Sequence, residues 1–194
     1  IMTGMILALA RGAGEVAQDV IGKVPETLIA TEHGLAYEIH PLGGLNVGLF
    51  TDMREHRRGL ARFANGKRVL NLFSYTGSLG LVCAKAGAAT VTNVDTSQGV
   101  NAWAAGNFVR AGFESSKDNK RWKFETAEAN RFLARAERDK EQYDVILIDP
   151  PGSSSAGGAS WALGRDYPEL IAKACTVISQ GGLLWLASNA AELG

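Results

Sequence analysis

The 194 residues are 46% hydrophobic and 21% charged, which excludes a disordered chain and suits one main globular domain with a sizeable core, plus a small appendage. Twenty basic and twenty acidic residues cancel to a formal net charge of zero, so no global field advertises a nucleic-acid ligand, although neutrality neither proves nor excludes an RNA substrate. The apolar stretch nearest the N-terminus, Met5 to Ala10, is too short to span a bilayer, and no cleavage site follows a basic leader. With Cys83 and Cys175 both in apolar helical patterns, where a reduced small hydrophobe is the usual identity, a soluble, cytoplasmic, disulfide-free protein with no membrane partner is expected.

In chain order, the first 60 residues read as an appendage: a helix-like stretch to about Ile21, then three short extended pieces, Leu28 to His33, Leu35 to His40 and Leu45 to Phe50. Gly34 and Gly43-Gly44 supply the turns. From residue 61 to residue 194 strand-length apolar runs alternate with segments of helical period, the mark of βαβ units and a parallel sheet. The first strand is Val69 to Ser74, followed by a helix from Ser78 to Ala86 that Gly87 can end in a left-handed cap. A second strand, Ala89 to Asp95, leads to a helix opened by Thr96 or Ser97, with Val100, Trp103, Ala104, Phe108 and Ala111 on one face. A third strand, Trp122 to Ala127, precedes a charged amphipathic helix over about Asn130 to Lys140. The fourth, Tyr143 to Asp149, is an almost unbroken apolar run, as a parallel strand covered on both faces should be. A Gly/Ser-rich loop, a helix from about Tyr167 to Ser179 and a fifth strand, Leu183 to Ser188, complete the pattern. The predicted fold class is a doubly wound, Rossmann-like α/β sheet with a small N-terminal antiparallel appendage.

In such a sheet an adenosine-containing ligand binds at the carboxyl ends of the central strands, where strand order reverses. The chemistry-bearing residues fall there. Asn71-Leu72-Phe73-Ser74-Tyr75-Thr76-Gly77 closes the first strand and turns into a helix whose free N–H groups face a ligand. Asp95 ends the second strand, placed to accept both ribose hydroxyl hydrogens, with Thr96 beside it. Glu128 ends the third, where it can accept from an adenine amine. Asp149-Pro150-Pro151 ends the fourth as a stiff, acid-tipped turn. Taken singly, each has a plainer reading as tight packing, a helix cap or a loop boundary. Their common register on one sheet edge favours a ligand site.

A nicotinamide or flavin enzyme would want Gly-x-Gly-x-x-Gly after the first strand, to bring backbone against a pyrophosphate. Here Tyr75-Thr76-Gly77-Ser78-Leu79-Gly80 puts bulky residues where that pattern begins. S-adenosylmethionine carries no phosphate and tolerates them, and methyl transfer from its sulfonium needs little beyond alignment of a nucleophile.

Gly48-Leu49-Phe50-Thr51-Asp52-Met53-Arg54, Val69 to Gly77, Val94-Asp95-Thr96-Ser97, Asp149-Pro150-Pro151 and Arg165-Asp166-Tyr167 together resemble the bacterial large-subunit ribosomal RNA methyltransferases that modify 23S RNA, of the RlmI and RlmK type. The likeness covers about Leu28 to Ser188. It implies S-adenosylmethionine as cofactor, bound by Tyr75, Thr76, Gly77, Asp95, Glu128 and Asp149, with Asp52 and Arg54 contributed by the appendage, and large-subunit ribosomal RNA as substrate. Relatives that methylate cytosine C5 carry a cysteine nucleophile after the fifth strand. This chain has Ala187-Ser188-Asn189-Ala190, closer to the guanine-N7 branch, so a base nitrogen is the expected acceptor, with Asp149 or the Asn189 amide positioning it. The family's aromatic platform after Pro-Pro is replaced by Gly152-Ser153-Ser154-Ser155, leaving Trp161 or Tyr167 as stand-ins or as plain packing residues. Arg54, Arg57, Arg58 and Arg62 can touch phosphate or simply solvate a helix face. The sequence ends just after the fifth strand, short of the family's closing helix and two strands, and lacks its N-terminal RNA-binding module. A fragment and a reduced protein are both consistent with that, and a non-catalytic scaffold, or a protein or small-molecule methyltransferase, stays the alternative.

Overall fold

The computed structural model describes residues 4–11, 15–44, 46–114, 120–154 and 161–187, in two compact units, Ile1–Arg54 and Glu55–Gly194.

In the first unit, β1 (Gly4–Arg11) and β2 (Glu15–Gly22) form an antiparallel pair. The helix expected to about Ile21 is therefore a hairpin. The reason lies in Gly4, Gly12, Gly14 and Gly22, which bracket two strand-length runs and weaken a helix by about 1 kcal/mol apiece. The register also sets apolar residues opposite one another, Ile6 with Val20 and Leu9 with Ala17. β3 (Leu28–Glu32) pairs with β4 (Leu35–Ile39) as expected. Their connection, His33-Gly34, has φ of 49° and 71°, the double left-handed geometry that matches strand twist. The third extended piece fails: residues 46–50 form no strand, His40 N–H bonds the Val47 carbonyl at 2.8 Å, and a 3-10 turn over Thr51–Met53 follows. Helix α1 (Arg54–Leu60) begins at the unit boundary.

The second unit alternates strand and helix: β5 (Arg68–Leu72), α2 (Ser78–Lys85), β6 (Thr90–Asp95), α3 (Gln98–Arg110), β7 (Trp122–Thr126), α4 (Ala129–Arg138), β8 (Tyr143–Ile148), the short pair β9 (Ser153–Ser154) and β10 (Trp161–Ala162), α5 (Leu163–Thr176) and β11 (Ile178–Leu186). The large strands make one parallel sheet in the order β11-β8-β5-β6-β7. From β5 the chain moves outward to β6 and β7, then returns to β8 on β5's other side. Strand order thus reverses between β5 and β8, and the crevice at their carboxyl ends is where this topology places a ligand.

Both sheet faces are buried. Leu70, Leu72, Val94, Ile146 and Ile148 pack with Phe132 and Leu133 of α4 and Leu170 and Ala174 of α5. On the other face α2 presses so close to β6 that a Cβ at Gly80 would lie 2.3 Å from Asn93 Oδ1 and 3.0 Å from Val91 Cγ1. That packing requires glycine. Phe108 of α3 meets Phe124 edge-on at 5.1 Å and Trp122 at 6.0 Å, anchoring α3 over the β7 edge.

At the amino edge Arg68 ties strands together. Its backbone N–H and its Nε and Nη2 donate to the Asp144 carboxylate, and Nη2 also reaches Ser179 Oγ at 2.9 Å, joining β5, β8 and β11. The Arg68 guanidinium holds the Asp144 carboxyl well below the usual carboxylate range. Two boundaries differ from expectation. α5 starts four residues before Tyr167, at Leu163, because Gly164 and Pro168 read as breakers. β11 starts at Ile178 rather than Leu183, with Gly181 at φ 72° and a register shift between Ile178 and Leu183. The glycines that looked like a connection form a bulge inside the strand.

Candidate functional site

β5 delivers its chain into the crevice at Leu72, and the next five residues are held in an unusual path. Phe73, Tyr75 and Gly77 all have positive φ, at 55°, 47° and 76°, while Ser74 and Thr76 between them do not. For Phe73 and Tyr75 the left-handed conformation costs roughly 1–2 kcal/mol each. Strain of that kind persists where surroundings over-determine it, characteristically beside ligands. The turn runs into α2, whose N-cap is Gly77 and which has no side-chain cap. Its first N–H groups are therefore available to a ligand carboxylate.

Hydrogen bonds of its own N–H groups hold this path. Ser74 N–H donates to the Val94 carbonyl at 3.0 Å, Gly77 N–H to the Ser74 carbonyl at 2.8 Å, and Tyr75 N–H to Asp95 Oδ2 at 3.0 Å. Asp95 Oδ1 accepts from Ser97 N–H at 3.0 Å. Each oxygen keeps a second acceptor direction, so the half-buried carboxylate is oriented by backbone with its outer lone pairs unassigned. Ser97, rather than Thr96, is the N-cap of α3, accepting from Val100 N–H. Thr96 is exposed beside Asp95.

Asn71 and Phe73 support the turn from beneath. Asn71 is fully buried, donating from Nδ2 to Asn93 Oδ1 at 2.9 Å. Phe73 packs against the core beneath α4 and α5. Thr76 is also fully buried.

Two residues escaped the sequence reading. Asn107, completely buried on α3, donates from Nδ2 to the Thr76 carbonyl at 3.1 Å. Asn101, six residues earlier on the same helix, donates from Nδ2 to the Asp95 and Glu125 carbonyls and to Thr126 Oγ1. Their signal was present: Asn101 and Asn107 share the apolar stripe of Ala104 and Phe108, and a buried amide needs partners.

Glu128 lies at the β7 end and is the N-cap of α4. Its two carboxylate oxygens accept from Asn130 and Arg131 N–H groups, each at 3.0 Å. Asp149 is half-buried at the end of β8, followed by the buried Pro150. Tyr167 is only 7% exposed and donates its hydroxyl proton to the Ala187 carbonyl at 3.0 Å. Burial, and secondarily the Asp149 charge, raise its phenol above the ordinary tyrosine value. Tyr167 is thus a fixed strut rather than a free platform for a base. Asn189 lies outside the described residues, as does the Trp161 side chain. Asp52 and Arg54 belong to the first unit, where Asp52 Oδ1 accepts from Met53 N–H at 3.0 Å.

Neither thiol suits covalent catalysis in the crevice. Cys83 is buried in α2 and burial pushes its thiol up to about 12, which suppresses the reactive thiolate. Cys175 is exposed in the last turn of α5, at the amino edge where the chain enters β11. Among the described residues no group of three or more His, Cys, Asp or Glu could hold a metal, and no helix is long and apolar enough to cross a membrane.

The sequence profile of the S-adenosylmethionine-dependent methyltransferase family matches residues 7–194. A ribosomal RNA large subunit methyltransferase K/L of Shewanella baltica is 38% identical over 165 residues, 84% of this chain and 22% of its own length; a Shewanella oneidensis counterpart has the same values. The chain therefore spans about a fifth of the curated relatives it matches. Among solved structures, SMU.776 complexed with S-adenosylhomocysteine is 29% identical with a TM-score of 0.80, covering 89% of this chain and 46% of that one. The S-adenosylmethionine-dependent methyltransferase of Agrobacterium tumefaciens gives 29% and 0.79, covering 91% and 58%. With its all-parallel sheet reversing at β5 and β8 and its strained turn latched to Asp95, this chain belongs to the S-adenosylmethionine-dependent methyltransferase family.

Proposed function

We propose that this chain transfers a methyl group from S-adenosylmethionine to RNA, at a base of large-subunit ribosomal RNA and on a ring nitrogen rather than cytosine C5. The observation that carries the cofactor half is the Asp95 carboxylate, oriented by Tyr75 and Ser97 N–H groups with outward lone pairs free for two ribose hydroxyls. The site fits the cofactor elsewhere too: the uncapped start of α2, entered through the strained turn at Phe73, Tyr75 and Gly77, offers N–H groups to its carboxylate. When bound, the cofactor supplies an electrophilic sulfonium methyl group. The chain's residues hold and align. Thr96 flanks the ribose, Glu128 has outer lone pairs left for an adenine amine, and Pro150 fixes the path beside Asp149. Asp149 and the Asn189 amide position the target nitrogen.

Support for RNA comes from the names of the Shewanella relatives, which match 84% of this chain. The described thiols support a nitrogen acceptor, because methylation of cytosine C5 calls for a thiolate at the carboxyl edge to add to C6, and Cys83 and Cys175 both lie elsewhere. Two free thiols also suit a reducing cytoplasm. The test is transfer of tritiated methyl groups to unmodified large-subunit ribosomal RNA, with bulk protein as the competing acceptor. Label in the RNA supports the proposal. Label in protein alone, or cofactor binding with no transfer, overturns the acceptor assignment.

A further inference from the structure

The Arg165-Asp166-Tyr167 string has no assigned role in holding cofactor, yet its last two side chains grip both chain segments that leave the carboxyl edge on the side away from Asp95. After Asp149-Pro150-Pro151 the chain enters β9, which pairs with β10 through Ser153 with Ala162 and Ser154 with Trp161. Asp166 Oδ2 accepts from Ala162 N–H at 2.8 Å, fixing that small sheet to the first turn of α5. Arg165 doubles the Asp166 anchor, donating from Nε to Oδ1 at 2.7 Å and from Nη2 to Oδ2 at 2.8 Å. One residue on, the Tyr167 hydroxyl bonds the Ala187 carbonyl at 3.0 Å, while Ala187 N–H bonds the Ile148 carbonyl at 2.9 Å. Both polar groups of the Ala187 peptide segment are thereby committed. The residue after Ile148 is Asp149, and the residue after Ala187 opens Ser188-Asn189.

The geometry points to Asp166 and Tyr167 as positioning residues of the acceptor side: one turn of helix holds Ala187 against the end of β8, beside Asp149, and ties Ala162, paired with the segment after Pro151, to the same point. This rests on the acceptor roles proposed above for Asp149 and Asn189. The burial that raises the Tyr167 phenol also keeps it protonated and donating. The clamp is separate from the cofactor turn, whose bonds go to Val94, Asp95 and Asn107.

Tyr167→Phe keeps the ring in the core and deletes the one bond; Asp166→Asn loses the charge that holds Arg165. Two readouts are taken on the full chain: amide hydrogen exchange, and steady-state methyl transfer to large-subunit ribosomal RNA alongside S-adenosylhomocysteine affinity. For Tyr167→Phe, exchange at Leu186 and Ala187 rises roughly 3- to 10-fold, the worth of one neutral hydrogen bond. Exchange over residues 72–77 and S-adenosylhomocysteine affinity stay unchanged, while kcat falls on the order of 10-fold, as expected of a misplaced acceptor. For Asp166→Asn the exchange increase appears at Ala162 instead. Equal loosening of residues 72–77, or lost cofactor affinity, would make Tyr167 an ordinary core residue and overturn the inference. So would unchanged exchange at Ala187, or unchanged kcat in a wild type that methylates RNA. A wild type that transfers nothing to RNA defeats the acceptor proposal, while the exchange pattern still decides the clamp.

Discussion

Replacing Asp95 with alanine removes three interactions at once. Oδ2 no longer receives Tyr75 N–H and Oδ1 no longer receives Ser97 N–H, both 3.0 Å bonds, and the acceptors assigned to the ribose hydroxyls disappear. The ribose contacts are charge-assisted, worth about 1.5–3 kcal/mol, so affinity for S-adenosylhomocysteine falls by about 10- to 150-fold. Releasing Tyr75 adds to this, since its φ of 47° is held by the lost bond and relaxes at a gain of roughly 1–2 kcal/mol that the ligand must then reverse. Asp95→Asn sharpens the test. Because both carboxylate oxygens accept from backbone N–H groups, an amide must turn its NH2 toward one of those donors, so asparagine is nearly as damaging as alanine. Titration calorimetry measures both variants, and a thermal melt confirms folding. Affinity within about twofold of wild type for Asp95→Ala would refute the placement of the pocket. An innocuous Asp95→Asn would refute the latch on Tyr75.

Gly80→Ala sets a methyl group 2.3 Å from Asn93 Oδ1 and should cost about 1–3 kcal/mol of stability by denaturant unfolding, since overpacked cores must shift backbone. Asp144→Asn weakens the bonds that join β5, β8 and β11, and at this partly exposed site the loss is about 1–2 kcal/mol. The folded-state pKa of Asp144 is lowered, so its contribution is full above the unfolded value of about 3.9 and fades as pH falls below it. The gap in melting temperature between wild type and Asp144→Asn should therefore narrow below about pH 4, and a gap that stays constant contradicts the pairing with Arg68. Cys83→Ala with Cys175→Ser leaves methyl transfer intact if no covalent adduct forms; loss of transfer in a folded double variant would reinstate a thiol nucleophile.

The parallel sheet was legible because each central strand is an apolar run with a polar or glycine-rich end. Tyr143 to Ile148 shows this most plainly, and the placing of Asp95, Glu128 and Asp149 at strand ends follows from register alone. What stayed hidden depends on pairing between distant residues. Arg68 and Asp144 lie 76 positions apart, and neither looks unusual locally. Asn101 and Asn107 share the apolar stripe of α3, but their partners, the Asp95 and Thr76 carbonyls, lie on distant segments that only the fold brings against them. The N-terminal hairpin was missed because Met5 to Ala10 has no clean alternation, so its type is decided by tertiary pairing with Glu15–Gly22. Glu128 was legible as a polar strand end, but its employment as the cap of α4 required the positions of Asn130 and Arg131 N–H groups.

The most direct test of the central claim is the chemical identity of the product. Large-subunit ribosomal RNA methylated by this chain with isotopically labelled S-adenosylmethionine is digested to nucleosides and resolved by mass spectrometry. Label is expected on a base nitrogen, with none in 5-methylcytidine. Label in 5-methylcytidine, or none in RNA from a chain that binds S-adenosylhomocysteine, would contradict it.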